Sequence, residues 1–227
     1  MNVIIDHSLS SKEDVYCKFS EFYDHRFLYT DGSKTESAVS FAIFDGLLNS
    51  GIGYKINSNA SIFTAEAVAI LAALKHIKHK NNGCCEWLIV GDSMSVLENL
   101  KNNKFNANTN YFIYLIKESW LDLLTVHNIK VLFMWVPSHV GVLGNEKVDF
   151  LARNITNNSI NIPDSSSHLN ISIPYTDVAP LLKIRLINIW KRHWNHTVQI
   201  ENKGLWYAAL SFKLSPLSSQ NGTRSTL

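Results

Sequence analysis

Cysteine is scarce in this chain: Cys17, Cys84 and Cys85 are the only three. An odd number, two of them adjacent, makes no disulfide framework, and no Cys-x-x-Cys spacing suggests zinc, so a reducing compartment inside the cell is expected. Long apolar runs are missing too. No stretch of about 18 apolar residues occurs, which excludes a spanning helix and any membrane partner. Asp6, Lys12, Glu13 and Asp14 stand where a signal peptide would be apolar. Charge of one sign is slight, with a formal net charge of +2 and a pI near 8.4. That balance permits a polyanionic partner without arguing for one. There is no internal repeat. What remains is 227 residues, 46% hydrophobic and 18% charged, which suit one globular domain plus an appendage.

Residues 1–24 read as a polar leader or linker, with Phe19, Phe22 and Tyr23 available to pack on a domain edge. Arg26–Thr30 is a β-prone run closed by a turn signal, Asp31-Gly32-Ser33. Two further short strands follow at 38–45 and 51–56, joined around Asp45-Gly46. From Thr64 the period becomes helical: Ala65, Val68, Ala69, Ala72 and His76 mark one face, and Glu66, Ile70, Ala73 and Ile77 the next. Trp87–Val90 is a continuous apolar strand that stops at Gly91-Asp92-Ser93, where another helix begins. After an Asn-rich loop at 101–110, Ile113, Ile116, Trp120, Leu123 and Leu124 step at helical spacing. Lys130–Val136 is a fifth strand.

The fold class expected is α/β: a five-stranded mixed sheet, three antiparallel strands and then two crossover strands, flanked by helices. The domain spans 25–155, followed by a linker at 156–175, a helical tail at 176–210 and a frayed end at 211–227. In the tail, Lys183, Arg185, Lys191 and Arg192 interleave with Trp190 and Trp194. Such a helix either docks its tryptophans on the domain or offers a nucleic-acid face.

The stretch Phe133–Arg153 organises the site. A strand breaks at Pro137, a loop with Gly141 and Gly144 carries His139, and a helix restarts with Asn145 suited to cap it. Asp149, one turn in, sits beside Val148, Leu151 and Ala152 and needs a counter-charge. Asp31 and Asp92 fall at strand ends, where open α/β sheets bind ligands. Glu66 points inward from the start of its helix. Singly, each acid has an ordinary explanation as a cap, a turn former or a partner of a helix dipole. Together, four acids at one rim repel and raise one another's pKa unless cations sit between them. Oxygen-only ligands suit Mg²⁺ or Mn²⁺. Two such ions about 3.5–4 Å apart would clamp the attacking and leaving oxygens of a phosphoryl transfer. His139 would then move protons.

Tyr29-Thr-Asp31-Gly-Ser33, Thr64-Ala-Glu66, Gly91-Asp92-Ser93 and Ser138-His139 with Gly144-Asn-Glu-Lys-Val-Asp149 closely resemble the four motifs of the type 1 ribonuclease H family. The resemblance covers about residues 25–155. It implies a ribonuclease H-like fold. Asp31, Glu66, Asp92 and Asp149 would bind two Mg²⁺ ions, and His139 would assist product release. The implied activity is endonucleolytic cleavage of the RNA strand of an RNA–DNA hybrid, leaving 5′-phosphate and 3′-hydroxyl ends.

Asp31-Gly-Ser-Lys34, Ser61-Ile-Phe-Thr-Ala-Glu66 and Trp135-Val-Pro-Ser-His-Val-Gly141 are similar to the domains of non-LTR retrotransposon polyproteins. A reverse transcriptase would then accompany the domain in the parent polyprotein. Ile62 and Phe63 stand where cellular enzymes carry polar residues, Val148 replaces a small alanine, and 101–110 offers only Lys101 and Lys104 as a basic handle. Expected substrate contacts are Gly32, Ser33, Lys34, Ser61, Ser93 and Asn145, since a hybrid is recognised by shape, 2′-hydroxyls and phosphates. The protein is expected to be a monomer. The alternative is a catalytically decayed retroelement module that only binds nucleic acid. A proofreading-type exonuclease is disfavoured, because position 33 is Ser where a second acid would stand.

Overall fold

A computed structural model describes residues 1–80, 83–102, 109–157 and 172–199. Six strands form one mixed sheet: β1 (Asn2–Ile4), β2 (Arg26–Lys34), β3 (Val39–Asp45), β4 (Ser50–Ile56), β5 (Glu86–Gly91) and β6 (Lys130–Trp135), in the spatial order β1-β6-β5-β2-β3-β4. The β2-β3-β4 meander is antiparallel, whereas β2, β5, β6 and β1 run parallel. The helices are α1 (Lys12–Phe19), α2 (Ile62–His79), α3 (Met94–Lys101), α4 (Tyr111–Thr125), α5 (Leu143–Asn157) and α6 (Tyr175–Gln199).

Side chains alternate across the sheet and divide the core in two. Leu28, Phe41, Ile43, Trp87, Ile89 and Phe133 pack with α2, α3 and α4. Tyr29, Ala42, Phe44, Leu88, Val90 and Met134 pack with α1 and α5 through Val15, Phe19, Val148 and Ala152. Central strands covered on both faces leave no room for polar alternation, which is why β5 reads as an apolar run. The Asp45 turn is fastened from inside: its carboxylate accepts from Leu47 and Leu48 N–H at 3.0 Å and pairs with Arg26, which lies over the Trp87 ring.

Three expectations change. The sheet has six strands rather than five, because Asn2–Ile4 pairs in parallel with Leu132–Met134. Residues 1–24 are thus not a bare leader. They supply an edge strand and a helix whose Ser11 and Asp14 make a reciprocal capping box, with Phe19 buried and Tyr23 exposed. The first long strand also does not turn at Asp31. It continues through Gly32 and Ser33 to Lys34, each paired across to β3.

The chain forms two compact units, Met1–Ala179 and Pro180–Leu227. In the second, α6 exposes Leu181, Leu182, Leu186 and Ile189, and Trp190 stacks on Trp194 at 5.6 Å. The expected linker lies outside the described residues over 158–171, as does the tail beyond 199. No helix among the described residues is long and apolar enough to cross a membrane.

Candidate active site

The parallel pairing of β2 with β5 ends at Thr30 opposite Gly91, so Asp31 and Asp92 each stand one residue past the same rung. Glu66 reaches this rim from α2, just over one turn beyond its N-cap Ser61. Gly32 makes the approach possible: a Cβ there would lie 2.8 Å from Glu66 N and 2.9 Å from the Ala65 methyl. Oxygens of Asp31, Glu66 and Asp92 all lie within 4.8 Å of one another.

Asp31 and Glu66 are buried and Asp92 half-buried. Loss of hydration, and then the charges of Asp92 and Asp149, push the Asp31 carboxyl up to about 8. Burial, followed by Asp31 and Asp92, holds Glu66 well above the usual carboxylate range. The Gly32 N–H donates to both and offsets this only partly. Asp31 Oδ2 is buried without a hydrogen-bond partner among the described residues. An orphaned buried oxygen among three clustered acids fits a hard divalent cation.

Asp149 belongs to a neighbouring group with His139 and Glu146. Arg153 Nε lies 2.6 Å from Asp149 Oδ1, and His139 Nδ1 lies 3.9 Å from Oδ2. His139 is exposed and adopts φ +58° on its loop, with Nε2 3.3 Å from an Arg153 nitrogen. The four carboxylates therefore share one rim as two sets: three converge tightly, and the fourth is paired with an arginine yet near enough to raise Asp31.

The expected substrate contacts divide as well. Asn145 does not cap α5 but lies inside its first turn, buried, and donates from Nδ2 to Asp92 Oδ2 at 3.4 Å. Lys34 Nζ donates to the Ala60 carbonyl at 2.7 Å. Ser61 caps α2 by accepting from Thr64 N–H at 3.1 Å and is itself held by Asp177. Ser33 is half-exposed, and Ser93 starts α3 without a side-chain cap. The sequence reading missed Glu146 and Arg153, although both share a helical face with Asp149, three residues before and four after. Glu146 Oε1 accepts from Gly141 N–H at 3.3 Å and so ties the His139 loop to α5.

The sequence profile of the RNase H family matches residues 24–157. The chain belongs to the RNase H family. Several solved structures resemble this RNase H domain. The RNase H1 of the halophilic archaeon Halobacterium salinarum is 22% identical, covering 58% of this chain and 96% of its own, with a TM-score of 0.43. LC11-RNase H1, isolated from compost by a metagenomic approach, is 16% identical over 59% of this chain and 96% of its own, with a TM-score of 0.46. A second LC11-RNase H1 structure, in complex with an RNA/DNA hybrid, is 14% identical over 58% and 96%, with a TM-score of 0.42. No curated protein sequence matches the chain.

Proposed function

We propose that this RNase H domain is an endonuclease that hydrolyses the RNA strand of RNA–DNA hybrids with the help of two Mg²⁺ ions, Mn²⁺ being an acceptable substitute. The observation that carries this reading is the convergence of Asp31, Glu66 and Asp92 within 4.8 Å, with burial and mutual repulsion raising the carboxyl pKa of Asp31 and Glu66, a cost that a bound cation would offset. Asp31, Glu66 and Asp92 would hold the ions, with Asp149 alongside. When bound, the ions supply Lewis acidity for attack on a phosphodiester and for stabilising the oxygen that leaves.

The protein's own groups prepare this. Gly32 N–H orients both buried carboxylates, and Asn145 Nδ2 steadies Asp92. Arg153 keeps Asp149 turned along α5. His139, exposed on a loop tied at Gly141, can take a proton at either ring nitrogen and escort the cut strand outward. Ser33, Lys34 and Ser93, on the meander and at the start of α3, would contact phosphates and 2′-hydroxyls.

The wording of residues 31–34, 61–66 and 135–141 supports a domain of the non-LTR retrotransposon kind. A reverse transcriptase in the same polyprotein would raise the local concentration of hybrid. Three free cysteines support a reducing compartment inside the cell. The test uses labelled hybrid, double-stranded DNA and double-stranded RNA, each with Mg²⁺ or EDTA. Hybrid alone should be cut, and only with Mg²⁺. Cutting that persists in EDTA, or in an Asp92→Asn variant, sinks the proposal.

A further inference from the structure

A carboxylate from a distant part of the chain is seated on the N-terminus of α2. Asp177, in the first turn of α6 and within the first compact unit, accepts Ser61 N–H at Oδ2 and the Ser61 hydroxyl at Oδ1, both at 2.8 Å. The two partners are 116 residues apart. The free N–H groups and dipole of an 18-residue helix make this end a mount for an anion.

Its location gives the contact its meaning. Ser61 lies just over one turn before Glu66, and the neighbouring Ala60 carbonyl is held by Lys34, so these donors flank the carboxylate cluster. A nucleic acid laid across that cluster brings backbone phosphates to either side of the bond being cut. Beside Ser61 is a cavity of about 420 Å³ bordered by Phe63, Asn99, Asn110 and Thr176. Thr176 Oγ1 is buried there without a hydrogen-bond partner among the described residues. The cavity thus holds both a seated carboxylate and an unsatisfied hydroxyl.

We propose that Asp177 is a built-in competitor for a backbone phosphate of the hybrid: its carboxylate occupies both Ser61 donors, and substrate must displace the start of α6 to reach them. This rests on the hybrid being the substrate. Asp177 adds a like charge to the repulsion a phosphate meets there, so the chain is set to bind weakly until the segment lifts. Ser61 accordingly contributes to binding only in the displaced form.

The experiment measures binding of a fluorescent hybrid to the full chain in EDTA by anisotropy, with thermal melting as a check on folding. Asp177→Asn and Asp177→Ala should each bind about tenfold more tightly, the scale of one charge-assisted hydrogen bond no longer holding the closed form. Ser61→Ala should weaken binding more in the Asp177→Ala background than in the wild type. Unchanged or weaker binding by both Asp177 variants overturns the proposal, as does an equal effect of Ser61→Ala in the two backgrounds.

A second measurement needs no hybrid. Inorganic phosphate should move the Ser61 amide resonance in Asp177→Asn and leave it still in the wild type; the same response in both overturns the proposal. If the wild type cuts hybrid and the Asp177 variants bind no tighter, the competitor falls and the nuclease reading stands. If no variant binds or cuts hybrid but phosphate still distinguishes the two proteins, the nuclease reading falls and the masked anion mount stands.

Discussion

The Asp31–Glu66–Asp92 group and the pair of Asp149 with Arg153 lie at one rim but manage negative charge in opposite ways. In the first, Asp31 and Glu66 are buried, and loss of hydration holds both carboxyls above the usual carboxylate range. The second sits at the surface of α5, with a guanidinium at 2.6 Å. The difference teaches that acid residues at one rim can be met by a cation of the fold or pushed toward neutrality. Burial decides which, because desolvation outweighs every other influence on Asp31 and Glu66.

The contrast is sharpest at the buried set. Asp31→Asn or Glu66→Gln should lower hybrid cleavage by about 10³ or more, the scale of losing a group that acts directly on transition-state charge. The metal-free Glu66→Gln protein should melt higher than the wild type at pH 8, since an amide carries no charge to desolvate. A variant that cuts normally, or melts lower, erases the distinction. Asp149→Asn should slow cleavage about 10- to 100-fold, as when a supporting ligand is lost. Its metal-free melting temperature should move little, because the pair joins a half-buried Asp149 to an exposed Arg153 and such surface ion pairs contribute roughly 0–1 kcal/mol.

His139→Ala should reduce multiple-turnover cleavage about tenfold while leaving single-turnover cleavage nearly unchanged, because product release then limits the rate. Equal loss in both regimes would place His139 in the chemical step. The buried set also predicts a pH dependence of folding. Asp31 titrates near 4 in an unfolded chain and at about 8 in the folded one, so above pH 4 the unfolded state holds fewer protons. Metal-free stability should therefore fall as pH rises from about 4 to about 8 and then level off, lowering the melting temperature by on the order of 10 °C. Mg²⁺, which favours the ionised carboxylates, should recover more of that loss at pH 8 than at pH 5. Arg153→Ala should have the smallest effect, under about 1 kcal/mol.

Much of this was legible beforehand. Alternation and apolar runs located β2 to β6, and helical spacing placed Glu66 on the buried side of α2. Motif order grouped four acids, of which the structure brings Asp31, Glu66 and Asp92 within 4.8 Å of one another and sets Asp149 in a group with His139 and Glu146. The errors have physical causes. Asp31-Gly32-Ser33 has the composition of a turn, but Gly32 is glycine because the α2 backbone passes too close for a side chain. Asn145 has the chemistry of a cap, yet it lies within the helix and donates to Asp92. Asp177 on Ser61 bridges 116 residues, and no local pattern reports such a contact. Arg153, four residues beyond Asp149, was visible as a helical pair and went unread.

The smallest strand has a practical reach. Asn2–Ile4 covers the outer side of β6, which would otherwise offer a bare row of N–H and C=O groups next to apolar Val131 and Phe133. Anyone trimming this protein to the matched family boundary at residue 24 would unzip that seam, invite copies to stick edge to edge, and strip Val15 and Phe19 from the core beside α5. Solubility and the packing behind the rim would suffer together.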